Sequence, residues 1–214
     1  MRIRFDEQLK QLNKEMINMG TMIEESIGDA VKALMKQDVE LAQKVMAGDE
    51  EIDRTERKIE DLCLRLLLQQ QPVARDLRNI SAALKMVTDL ERIGDHATDI
   101  SELAIVLSEK TYVKKLDHIE EMARETMVML IQSLEAYVEK DLDKAQKVIA
   151  HDDVIDDFFE EVKQELIELI RNHADEGEQA VDLLMVTKYF ERIGDHATNI
   201  AEWVIFSITG QIAG

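Results

Sequence analysis

Apolar residues recur along this chain at spacings of three and four. Met16, Met19, Ile23, Ile27, Ala30 and Leu34 mark such a stripe over residues 6–36, the pattern of a helix with one buried face. Asp38 stands where a helix cap is needed. A second stripe, through Ile52, Ile59, Leu62 and Leu66, carries a helix to about Gln70, with Gly48-Asp49 offering a place to kink. Pro72 begins a third helix, at the position where proline is best tolerated. That helix runs through Leu77, Ile80, Leu84, Val87, Leu90, Ile93, Ala97 and Ile100 to about Ser108. The same reading predicts helices over roughly 116–140, 141–171 and 177–208.

The second trio copies the first. Glu-Arg-Ile-Gly-Asp-His-Ala-Thr occupies 91–98 and again 191–198. Ala42-Gln43-Lys44-Val45 matches Ala145-Gln146-Lys147-Val148, and Asp49, Ile52 and Asp53 match Asp152, Ile155 and Asp156. An internal repeat fixes the architecture: two halves, 1–110 and 111–214, joined near Lys110–Leu116. Short connections require antiparallel neighbours. The expected fold is therefore all-α, two tandem three-helix bundles with six long helices.

Composition agrees. One proline, eight glycines and 4% aromatic residues disfavour a sheet. Lys and Arg total 26 against 45 Asp and Glu, a formal charge of −19, which repels nucleic acid and anionic lipid. The single cysteine, Cys63, lies between Leu62 and Leu64 and reads as core filler. The residues from Met1 to Glu7 lack the apolar segment of a signal peptide, and no run reaches the ~18 apolar residues of a membrane span. The expectation is a cytoplasmic protein without direct membrane insertion, reaching any membrane through a partner.

Acidic residues are patterned. Glu91, Asp95 and Asp99 stand four apart, one helical turn on each time, and Glu191, Asp195 and Asn199 repeat them. On a helical wheel they lie opposite Ile93, Ala97 and Ile100, away from the core. Asp49 with Asp53, and Asp152 with Asp156, form a second pair on each middle helix. Carboxylates so spaced repel one another, and a hard cation taking oxygen ligands relieves that repulsion; the alternative is a solvated face. His96 and His196 diverge from the stripe and read as partly exposed structural residues. Gly94 and Gly194 imply close approach of a helix or a ligand. None of the five histidines has Glu three positions before it, and phosphate-cradling glycine loops and Gly-x-Ser-x-Gly are absent. A binding protein is favoured over an enzyme; a metal-free scaffold and a metal-dependent, phosphatase-like enzyme remain the rival readings.

The doubled octapeptide, the Glu/Asp-x-x-x-Asp pairs and Pro72-Val73-Ala74-Arg75-Asp76-Leu77-Arg78 resemble the PhoU family. The resemblance implies two PhoU repeats and metal ions, iron or zinc by family pattern with Mn or Mg still open. The metal would sit on Asp49, Asp53, Glu91, Asp95 and Asp99, and on Asp152, Asp156, Glu191, Asp195 and Asn199. It also implies a regulator of phosphate homeostasis. Such a protein acts negatively on phosphate uptake and starvation signalling through a phosphate ABC transporter's ATPase subunit and a sensor histidine kinase, often as a homodimer. Asn199 departs from its counterpart Asp99, so the second site is expected to bind more weakly.

One contrast separates the halves. Arg54, Arg57, Lys58 and Arg65 align with Asp157, Glu160, Glu161 and Glu168. The basic four fall on an exposed helix face and, with Arg75 and Arg78, form the candidate partner-binding set. Drift after duplication is the alternative.

Overall fold

Each repeat turns from its first to its second helix in the same way. One residue adopts the left-handed conformation, Gln37 at φ 54° and Lys140 at φ 56°. The aspartate after it then caps the next helix. Asp38 accepts a hydrogen bond from the Leu41 amide at 3.0 Å, and Asp141 accepts one from Lys144 at 2.9 Å. These side chains satisfy amides that the first turn leaves unpaired.

The computed structural model describes residues 2–70 and 73–211, with side chains over 5–68 and 73–211. Pro72, the expected start of the third helix, lies outside the described residues. Six helices follow in order: α1 Arg2–Lys36, α2 Val39–Gln70, α3 Ala74–Leu107, α4 Asp117–Glu139, α5 Leu142–Asn172 and α6 Gly177–Thr209. A short 3-10 turn, Ala174–Glu176, leads into α6. α2 passes through Gly48 as continuous helix, without the break the sequence allowed. Among the described residues no strand occurs, and no helix is long and apolar enough to cross a membrane.

In each half the three helices pack on one another. The halves join through α3 on α6 and α1 on α4, leaving α2 and α5 on opposite flanks. α3 and α6 run antiparallel: Arg78 near the start of α3 packs against Gly210 after the end of α6, while Lys110 beyond α3 reaches Glu178 at the start of α6 at 3.8 Å. A single apolar cluster spans both halves. Tyr137 of α4 is 1% exposed, and its hydroxyl donates to Asn13 of α1 at 2.8 Å. Cys63 is buried among apolar residues, which pushes its thiol up to about 12.

Candidate metal site on the carboxylate stripes

Gly94 lets α2 lie close against α3. A Cβ built there would meet Ile52 Cγ2 at 3.2 Å, and in the copy a Cβ on Gly194 would meet Asp152 and Ile155 at 3.4 Å. The glycines therefore serve helix approach, of the two readings the sequence left open. The approach sets the stripe of α3 beside the acidic pair of α2. Glu91, Asp95 and Asp99 are consequently half-buried, with side chains 18%, 32% and 37% exposed. The wheel had turned them away from the core. A wheel drawn for one helix misses the neighbour that covers its edge.

The titration of these groups reports the crowding. Burial, then the charges of Asp95, Asp53 and Asp99, pushes the Asp49 carboxyl above its ordinary range, and the Thr98 hydroxyl partly opposes this. Glu91 rises for the same reasons, burial first and Asp95 next. Glu56, which the sequence reading passed over, rises to about 7 through burial and the charges of Glu91, Glu60 and Asp53. Its place was readable, since Glu56 follows Asp53 by three residues and Asp49 by seven on one helix face. The first site thus gathers Asp49, Asp53, Glu56, Glu91, Asp95 and Asp99.

The copied site carries less charge. Asp152 rises to about 6 through burial and the charges of Asp195 and Asp156. Asp156 and Asp195 rise through burial with Glu191 as the leading charge. Where the first half has Glu56 the second has Phe159, and where it has Thr88 the second has Lys188. Lys188 pairs with Glu191 and stands 5.3 Å from the Phe159 ring centroid. Asn199 turns from the stripe altogether, donating to Asp89 of α3 at 3.1 Å.

The donors are crowded carboxylate oxygens, and burial with neighbouring charge raises the proton affinity of Asp49, Glu56 and Glu91 in the first half and of Asp152, Asp156 and Asp195 in the second; the set suits a hard cation in type and charge. Among the described residues, no three His, Cys, Asp or Glu side chains converge as a ligand group in these positions.

The octapeptides meet across the α3–α6 seam. His96 is 7% exposed, which corrects the expectation of a partly exposed residue. Its ring stacks on Tyr189 at 5.4 Å, and Nδ1 lies 3.1 Å from Asp99. Burial holds its pKa below the ordinary range, with Asp99 opposing. His196 is half-buried, with Nδ1 2.9 Å from Asp89. The two rings are 5.8 Å apart. A cleft of about 390 Å³ opens above them, lined by both histidines, Arg92, Arg192 and the acidic edge of the first site. Asp89 and Tyr189 occupy equivalent positions, and sequence reading had no signal for either.

The basic set is dispersed in role. Arg54, Arg57, Lys58 and Arg65 have side chains 67%, 69%, 60% and 58% exposed. Each pairs within its own molecule, with Glu50, Asp53, Glu15 and Asp61 respectively. Arg57 thereby touches a stripe carboxylate at 3.2 Å. Arg75 is exposed, but Arg78 packs on Gly210 with its Nε buried and unpartnered.

Fold and site together define a two-repeat, all-helical protein with matched acidic stripes flanking a shared seam. The PhoU domain model matches residues 16–104 and 119–204, and the chain belongs to that family. It is 40% identical over 208 residues to the phosphate-specific transport system accessory protein PhoU homolog of Clostridium acetobutylicum, covering 97% of this chain and 95% of that one. The corresponding homolog of Caulobacter vibrioides is 38% identical, with 97% and 90% covered. Among solved structures, PhoU from Pseudomonas aeruginosa superposes with a TM-score of 0.93 at 33% identity, covering 97% of this chain and all, 100%, of that one. The phosphate transport system regulatory protein PhoU from Streptococcus pneumoniae gives 0.92 at 27% identity, with 98% and 99% covered.

Proposed function

We propose that this chain is an accessory protein of phosphate transport: a cytoplasmic, non-catalytic adaptor that binds metal on its carboxylate stripes. It restrains phosphate uptake and starvation signalling by engaging a transporter ATPase subunit and a sensor histidine kinase, as a homodimer. The names of its relatives support the transport role. The observation that carries the metal reading is the pressing together of acidic groups at matched positions in both repeats, with Asp49 and its copy Asp152 both raised in proton affinity. A fold that retains such mutual repulsion twice gains from a cation that removes it. Iron or zinc is the expected ion, with Mn or Mg as the tested alternatives.

The test is a titration of chelator-treated protein with Fe³⁺, Zn²⁺, Mn²⁺ and Mg²⁺, followed by thermal melting. A cation that prefers the folded state raises the melting temperature. Asp95→Asn should weaken this shift, and Asp6→Asn, on an exposed turn of α1, should not. Two classes of site are expected, the weaker on the second half, where Lys188 and Phe159 replace Thr88 and Glu56. Equal effects of the two substitutions would remove the metal reading and leave a scaffold. For the regulatory role, cells lacking the protein should express phosphate-starvation genes in high phosphate, and the intact chain should restore repression.

A further inference from the structure

The two hairpins that join the second and third helices of each repeat occupy opposite ends of the molecule, because α3 and α6 run antiparallel. They share a fold and differ in chemistry. Around the α2–α3 hairpin, Leu64, Leu68, Val73 and Leu77 are 50%, 83%, 59% and 45% exposed. Arg65 and Arg75 stand among them, open to solvent. At the equivalent places of the α5–α6 hairpin the chain has Ile167, Arg171, His173 and Gly177, with Glu168 and Asp175 for the two arginines. The copy folds without the leucines and with acidic residues in place of both arginines, so the bundle itself does not require them.

We propose that the α2–α3 end is the docking surface for a partner protein presenting an apolar helix face edged by carboxylates. Leu64 and Leu68 lie one turn apart on α2, and Leu77 lies on the neighbouring helix, giving ridges that a third helix can straddle. Contiguous exposed apolar side chains rimmed by charged residues mark a surface that another molecule covers. Arg65 and Arg75 are exposed cations in a chain of net charge −19, and Arg65 holds Asp61 only at 4.0 Å, so this end offers countercharge to an acidic partner that the other faces repel. Two arginines are too few to bring so acidic a molecule onto an anionic bilayer. The assignment rests on the adaptor reading and gives that adaptor its contact face.

The probe is a labelled helical peptide with leucine on one face and glutamate on the other, followed by fluorescence anisotropy at low salt on the purified full chain. It should bind, weaken as salt is raised, and bind about tenfold less tightly to Leu68→Asp or Arg75→Glu. Both changes are at exposed positions, and circular dichroism checks that the helices persist. His173→Asp and Arg171→Glu on the copied hairpin should leave binding unchanged. Absence of binding, or equal binding by all variants, overturns the proposal. So does capture by phosphatidylglycerol-containing vesicles, lost in Leu68→Asp, without peptide binding: the surface would then be a lipid contact. Peptide binding is read apart from metal titration and starvation-gene repression, so its failure leaves those standing, and theirs leaves it.

Discussion

Lys140 adopts a backbone conformation that glycine enters without strain, and its side chain adds only a cation–π contact, 4.2 Å from the Tyr137 ring centroid. Lys140→Gly should therefore raise stability by about 0.5 kcal/mol. Gln37, in the same conformation, donates to the Leu107 and Lys110 carbonyls at 2.6 Å, so glycine there should destabilise. Urea unfolding of both variants checks the contrast. Glu56 gives a pH signature in metal-free protein. Its carboxyl titrates at about 7 in the folded chain against 4.5 in the reference state, so the folded state holds the proton more tightly. Its contribution to stability declines as pH rises from 4.5 towards 7 and is fully lost above that. Glu56→Gln should raise the melting temperature at pH 8 more than at pH 5; the reverse order would contradict the burial and repulsion assigned to it. The stripe residues were legible because aspartate and glutamate at helical spacing stand out in any chain. Glu56 is equally patterned but has Phe159 at its equivalent position, so the repeat does not mark it. Asp89 and Tyr189 were invisible, since their partners lie about a hundred residues away and neither pairing leaves a local pattern.

At the scale of helices, two mid-helix glycines, Gly94 of α3 and Gly28 of α1, sit in different surroundings. A Cβ on Gly94 would press on Ile52 at 3.2 Å and reach Ile23 at 3.9 Å, whereas nothing lies within 4 Å of one on Gly28. Gly94→Val should cost about 2 kcal/mol through overpacking. Gly28→Ala should stabilise by up to about 1 kcal/mol through helix propensity. Chemical denaturation of the two single variants separates the cases. Element number, type and order were readable from the three-and-four periodicity, and the start of α2 from Asp38 as its cap. What periodicity along one helix does not carry is the identity of the element covering its edge. The stripe of α3 thus read as turned away from the core, and His96, facing α6, as partly exposed.

Across the whole molecule, two halves that look separable in sequence share one apolar cluster. Each owns three apolar seams, so residues 1–110 and 111–214 made separately should each show helical circular dichroism. Mixed, they should recombine through α3 and α6, seen as a heavier species in sedimentation. Failure of either half to become helical would mean that the chain folds only as one intertwined unit. The antiparallel meeting of the two octapeptides has a consequence for descent. A lone ancestral repeat carrying this helix would present a self-complementary face, and two copies would close on each other about a twofold axis. In such a symmetric pair, any change at the position of Asp89 or Asp99 would be imposed on both sides of the seam at once. Fusion into a single gene lifts that constraint: Tyr189 and Asn199 can face Asp89 and His96 in one molecule, and one site can lose charge while the other keeps it.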